Sequence, residues 1–102
     1  MNTKTVFKFR LYVASNTPNT AKAMTNLKRF CRTYLAGRHA IEVVDVYKHP
    51  KRALTDQIFL TPTLVRITPT PVRRIIGTLN EVQPLCDAIG LILLPGHAPN
   101  TG

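Results

Sequence analysis

Asn16-Thr17-Pro18-Asn19 is the stretch whose spacing comes nearest to a known chemistry. It joins an apolar run to an amphipathic one, and its two asparagines are separated like the sulfurs of a Cys-x-Pro-Cys redox motif. Disulfide exchange needs an attacking thiolate and a second sulfur within reach, and asparagine supplies neither. The two cysteines, Cys31 and Cys86, stand far apart in the chain and form no Cys-x-x-Cys pair. His39, His49 and His97 lie in different segments, without metal-ligand spacing. The expectation is therefore a chain with no catalytic residue, no metal and no cofactor. Asn16, Pro18 and Asn19 read instead as a structural elbow, turn formers and caps at the start of a helix.

The charge balance is the next feature with functional content. Fourteen Lys and Arg against five Asp and Glu give +9, a field that draws in acidic partners. The basic residues are spread along the chain with no run of five, and the 7% of aromatic residues form no obvious stacking platform. A basic nucleic-acid-binding domain is thus the alternative reading, behind an acidic protein partner. A hydrophobic content of 44% with 19% charged residues describes a folded globule. The expected organisation is one domain over 1–94 with a short tail over 95–102. No segment reaches the roughly 20 apolar residues of a membrane span. Lys8 and Arg10 interrupt the first apolar run, which argues against a signal peptide, and two lone cysteines fit a reduced, cytoplasmic setting.

The elements that must position these residues follow from periodicity. Residues 6–14 alternate, with Phe7, Phe9, Leu11 and Val13 on one face and Lys8, Arg10 and Tyr12 on a polar one. Thr17 caps a helix that Pro18 opens, and Ala23/Met24, Leu27, Phe30/Cys31 and Tyr34/Leu35 form its apolar stripe as far as a stop at Gly37. Cys31 falls within that stripe, as a small buried hydrophobe. Residues 40–48 are a second strand, parallel to the first through a right-handed crossover. His49-Pro50 starts a short helix reaching about Ile58, with Leu54 and Ile58 inward. Residues 61–67 and 72–77, separated by Thr68-Pro69-Thr70-Pro71, make an antiparallel hairpin. Residues 80–94 carry an Asn80/Gln83 cap and helical spacing, yet Gly90 interrupts the pattern and the apolar run 91–94 also suits a buried strand.

This β-α-β-α-β-β-α order is the thioredoxin-like plan. Residues 11–20 (LYVASNTPNT), 44–50 (VDVYKHP) and 61–77 (TPTLVRITPTPVRRIIG) resemble the KaiB family of circadian-clock proteins, and the similarity runs across most of residues 6–94. The resemblance implies an α/β fold: a thioredoxin-like βαβ N-terminal half plus an αββα C-terminal half. The alternative it carries is the family's self-associating ground-state fold, in which the C-terminal half is rearranged. It implies a non-enzymatic binder of a KaiC-type ATPase/kinase that modulates its phosphorylation state. KaiA or a sensor kinase, and further copies of the chain as a dimer or tetramer, are the other implied partners. A degenerate redox protein is the third reading.

Site residues follow from the same resemblance. Pro62 stands where thioredoxin-like folds keep a cis proline. Lys22 lies where the family commonly has a basic residue, and Lys48 and Lys51 flank the start of the second helix. Arg73 and Arg74 are neighbours in an alternating strand, so at most one can meet a flat partner surface. Gly90 and Ile92 mark the region expected to switch, with Ile92 where the clock proteins carry Asp. There the helix reading stacks Ile92 beneath Leu85 and Ile89, a burial worth about 1.5–3 kcal/mol. Ser15 replaces the family's usual Gly.

Overall fold

The computed structural model describes residues 5–92; residues 1–4 and 93–102, which hold His97, the second half of the apolar run 91–94 and the expected tail, lie outside the described residues. Seven elements follow one another: β1 (Phe7–Val13), α1 (Pro18–Tyr34), β2 (His39–Asp45), α2 (Pro50–Thr55), β3 (Thr63–Thr68), β4 (Arg73–Ile76) and α3 (Val82–Ile89). They build a four-stranded sheet in the order β2-β1-β3-β4, with β1 and β2 parallel and the other two pairings antiparallel.

The apolar alternation of β1 sets the two layers. Phe7, Phe9, Leu11 and Val13 enter one core with Ala23, Leu27, Phe30, Cys31 and Leu35 of the α1 segment and Leu85, Cys86 and Ile89 of α3. α1 begins as its sequence dictates: Thr17 accepts a hydrogen bond from the Thr20 amide at 3.1 Å, and Pro18 occupies the first turn, where no donor is lost.

The second face of β1 is not the polar face its alternation implies. Tyr12 is 0% exposed and packs with Val44, Ala53 and Val65 in a smaller core beneath α2, while Arg10 is half-buried. The phenol explains the discrepancy, since Tyr buries a large apolar ring provided its hydroxyl finds a partner. That partner is the Asp56 carboxylate, to which the Tyr12 hydroxyl donates.

α2 is shorter than its sequence pattern and turned differently. Ala53, not Leu54, points into the small core, and Leu54 is 71% exposed. The helix ends at Thr55, and Gln57 at φ 56 leads the chain away, so Ile58 reaches the core from the loop.

α3 also departs from its expected form. Its N-cap is Glu81 without a side-chain cap, and Gln83 donates to Asp87 at 2.9 Å, so the Asn80/Gln83 cap is not made. The helix stops at Ile89 because Gly90 takes the left-handed conformation at φ 78, and the Leu91 amide folds back onto the Cys86 carbonyl at 2.9 Å. Ile92 is 82% exposed and does not join Leu85 and Ile89. The stabilisation expected from burying Ile92 is absent from this packing.

Candidate protein-interaction surface

At the elbow, Asn16, Pro18 and Asn19 are exposed, and the buried Thr20 hydroxyl lies 3.0 Å from the capping Thr17 hydroxyl. The facing loop brings up Pro62, whose peptide bond to Thr61 is cis and whose carbonyl accepts from the Gly77 amide at 3.0 Å. Cys31 and Cys86 are buried on α1 and α3 in the larger core. Burial pushes the Cys31 thiol up to about 12, and burial followed by Asp87 raises Cys86. A thiol held so far above neutral pH is a poor nucleophile. Both should resist a thiol-specific alkylating agent in the native protein and react together once it is unfolded; rapid labelling of either under native conditions would contradict their place in the core.

The basic residues singled out by sequence divide between the two sides of the sheet. Arg74 lies in register with Val65, on the α2 side, and its guanidinium donates to the carbonyls of Asp56 and Gln57 (2.9 Å to Gln57) just beyond the end of α2. Carbonyls at a helix C-terminus carry partial negative charge, so the contact is electrostatically favourable. Lys48 and Lys51 are exposed at the start of the same helix. Arg73 is exposed in register with Arg66, on the side covered by α1 and α3, and Lys22 is exposed on α1. Lys48, Lys51 and Arg74 therefore share the α2 side, while Lys22 and Arg73 do not.

What the sequence analysis missed is the apolar part of the α2 side. Phe59 is 81% exposed and Leu60 60%, and both line a depression with Ile58, Gln57, Arg74 and Ile76. Two large consecutive apolar residues directly before Thr61-Pro62 were the available signal, but the helical pattern drew attention to Leu54 and Ile58. An exposed apolar cluster beside a cation marks a contact surface more strongly than scattered charge does.

A polar network ties this side to the sheet. Arg10 bridges Glu42 at 2.9 Å and Asp56 at 3.1 Å, and Arg52 reaches Glu42 at 2.9 Å. Arg52 first and Arg10 next hold the Glu42 carboxyl down to about 2, and the Tyr12 hydroxyl followed by Arg10 lowers Asp56. Both are depressed acids, so their contribution to stability is complete above the unfolded carboxylate range near 4 and is lost as pH falls through the folded values. Glu42 is half-exposed and solvent screens its pairs, which leaves Asp56 the larger contributor. Asp56→Asn is expected to flatten the loss of stability between roughly pH 4 and 2 more than Glu42→Gln does, as read from urea midpoints across that range. Equal slopes in parent and Asp56→Asn would remove Asp56 from this role.

Compared with known proteins, residues 10–86 match the family model described as KaiB domain. The chain belongs to the KaiB family. Among curated KaiB-family relatives, it is 43% identical over 97 residues to the circadian clock oscillator protein KaiB of Synechococcus elongatus, covering 95% of this chain and 93% of that one. It is 45% identical over 94 residues to the protein of the same description from Prochlorococcus marinus, covering 92% and 79% respectively. Among solved structures, it is similar to the N-terminal domain of Synechococcus elongatus SasA, with a TM-score of 0.69 at 19% identity over 81% of this chain and 78% of that domain. The thioredoxin Deadhead of Drosophila melanogaster follows, with a TM-score of 0.66 at 13% identity over 86% and 82%. These structural likenesses establish the thioredoxin-like fold of this KaiB-family chain. The structure also accounts for position 15: Ser15 adopts φ 52, a left-handed conformation that costs a non-glycine residue about 1–2 kcal/mol, and its hydroxyl donates to Asp45 at 3.1 Å in partial compensation.

Proposed function

We propose that this chain is a non-enzymatic clock component that binds a KaiC-type ATPase/kinase and modulates its phosphorylation state. It also takes KaiA or a sensor kinase in cells that contain one. The observation that carries this reading is the α2 side of the sheet, where Phe59, Leu60 and Ile76 are exposed beside Arg74 and on the same side as Lys48 and Lys51. Apolar anchors bordered by cations suit an acidic protein surface, and the sulfur-free elbow leaves the scaffold without the nucleophile that disulfide exchange requires. The relatives from Synechococcus elongatus and Prochlorococcus marinus are circadian clock oscillator proteins, which supports the same reading. Arg73 and Lys22 then act through the overall positive field and not through the same contact. Self-association, with a second packing of the C-terminal half about Gly90 and Ile92, belongs to this proposal; sedimentation over a concentration series tests it.

The deciding experiment measures binding of the whole chain to a KaiC-type ring from the same organism and, separately, to duplex DNA, each across a salt series. The expected result is saturable binding to the ring that weakens with salt but survives at physiological ionic strength, and DNA binding only at low salt. Tight DNA binding at physiological salt with no ring binding would favour the nucleic-acid alternative.

A further inference from the structure

Arg66 is the one arginine of the sheet that is buried, at 5% exposure, and sequence reasoning passed over it. It sits on β3 opposite Phe9 of β1 and Arg73 of β4, on the face covered by α1 and α3. Among the described residues it has no carboxylate partner. Its Nη1 donates to the carbonyl of Ile89 at the end of α3, its Nη2 donates to the carbonyl of Pro71 at 2.5 Å, and its Nε is buried without a partner. Gly90 is shaped around it: a Cβ at that position would lie 3.0 Å from Nη1. Burial, with Arg73 a smaller contributor, pulls Arg66 below the ordinary arginine value.

A buried cation with no counter-ion is costly, so this one depends on the carbonyls that its fork engages. One of them ends α3, where the helix carries partial negative charge. The other belongs to Pro71, in the loop that leads into β4. The guanidinium is planar and rigid, so both bonds need both carbonyls in place at once. We propose that Arg66 is a clasp coupling the docking of α3 to the Pro71–Ile76 segment, so that the two open as one unit. Through it, the setting of Arg74 on the α2 side responds to the state of a helix on the opposite side of the sheet. This holds whether or not the partner is the one proposed above.

The test is a coupling cycle read by native-state hydrogen exchange on the full chain. Leu85→Ala loosens α3 from the core without touching the clasp. In the parent background it should raise exchange of α3 and β4 amides by comparable factors of about tenfold or more, leaving the β1–β2 ladder unchanged. In an Arg66→Met background the same substitution should raise α3 exchange alone, with β4 amides moving by less than about twofold. Arg66→Lys should behave like Arg66→Met, because one ammonium nitrogen cannot reproduce the fork. If Leu85→Ala does not fold, the milder Leu85→Val takes its place in the same cycle, again leaving the clasp untouched. A β4 response that is equal with and without Arg66 would assign the coupling to direct packing of α3 on β4 and overturn the proposal. So would a β4 response absent from both backgrounds, or one shared by every amide in the sheet.

Discussion

Tyr12→Ala is expected to lower folding stability by about 3–5 kcal/mol, a large share of what a domain of this size possesses. Tyr12 is wholly buried between β1 and α2, where its ring fills the small core with Val44, Ala53 and Val65. Truncation opens a cavity there and leaves Asp56 without the hydroxyl that donates to it. α2 has six residues and buries little but Ala53, so it cannot close over the gap by itself. Tyr12→Phe separates the two contributions: it keeps the ring and should cost about 1–3 kcal/mol for the carboxylate's lost donor. Urea denaturation of the three proteins at neutral pH is the measurement. A loss of less than about 1 kcal/mol in Tyr12→Ala would mean that α2 does not pack over β1 as described.

Phe59→Ala carries the largest expected effect on binding. The side chain is 81% exposed in the free protein, so its removal should leave stability within about 0.5 kcal/mol. If Phe59 is the anchor of the proposed surface, the same change should weaken binding to the KaiC-type ring by about 2 kcal/mol, near thirtyfold, chiefly through faster dissociation. Lys51→Glu is expected to act differently, slowing association at low salt with an effect that fades as salt rises. Lys22→Glu, on the other side of the sheet, should change association by less than Lys51→Glu does. Binding that survives Phe59→Ala within about twofold would remove the α2 side from the proposal and return attention to Lys22 and Arg73.

Much of this architecture was legible in the chain. The βαβ unit could be read because its signals are local: period-two alternation in residues 7–13, a Thr-Pro helix start, and a stripe every three or four residues through Leu35. The hairpin was legible too, since the Thr/Pro loop at 68–71 breaks two strand-forming runs. The C-terminal boundary was not. Gly90 can interrupt a helix or end it, and only its left-handed conformation against the Arg66 guanidinium selects the second, which leaves Ile92 in solvent.

By itself, the sequence determined the order of elements, the absence of sulfur at the elbow and the surplus of positive charge, because composition and local spacing suffice for each. Only the tertiary structure decided which charges act together. Neighbouring strand residues face opposite sides, so Arg73 and Arg74 part company, and Arg74 joins α2 while Lys22 stays with α1. It also decided the standing of three residues whose type does not reveal their surroundings. Tyr12 is buried because a carboxylate 44 positions away satisfies its hydroxyl. Arg66 is buried because two carbonyls from separate segments converge on its fork. Phe59 is exposed because the chain leaves α2 early and carries it past the small core. Each outcome depends on partners distant in sequence, and the strength of a polar or apolar contact is set by what surrounds it in space.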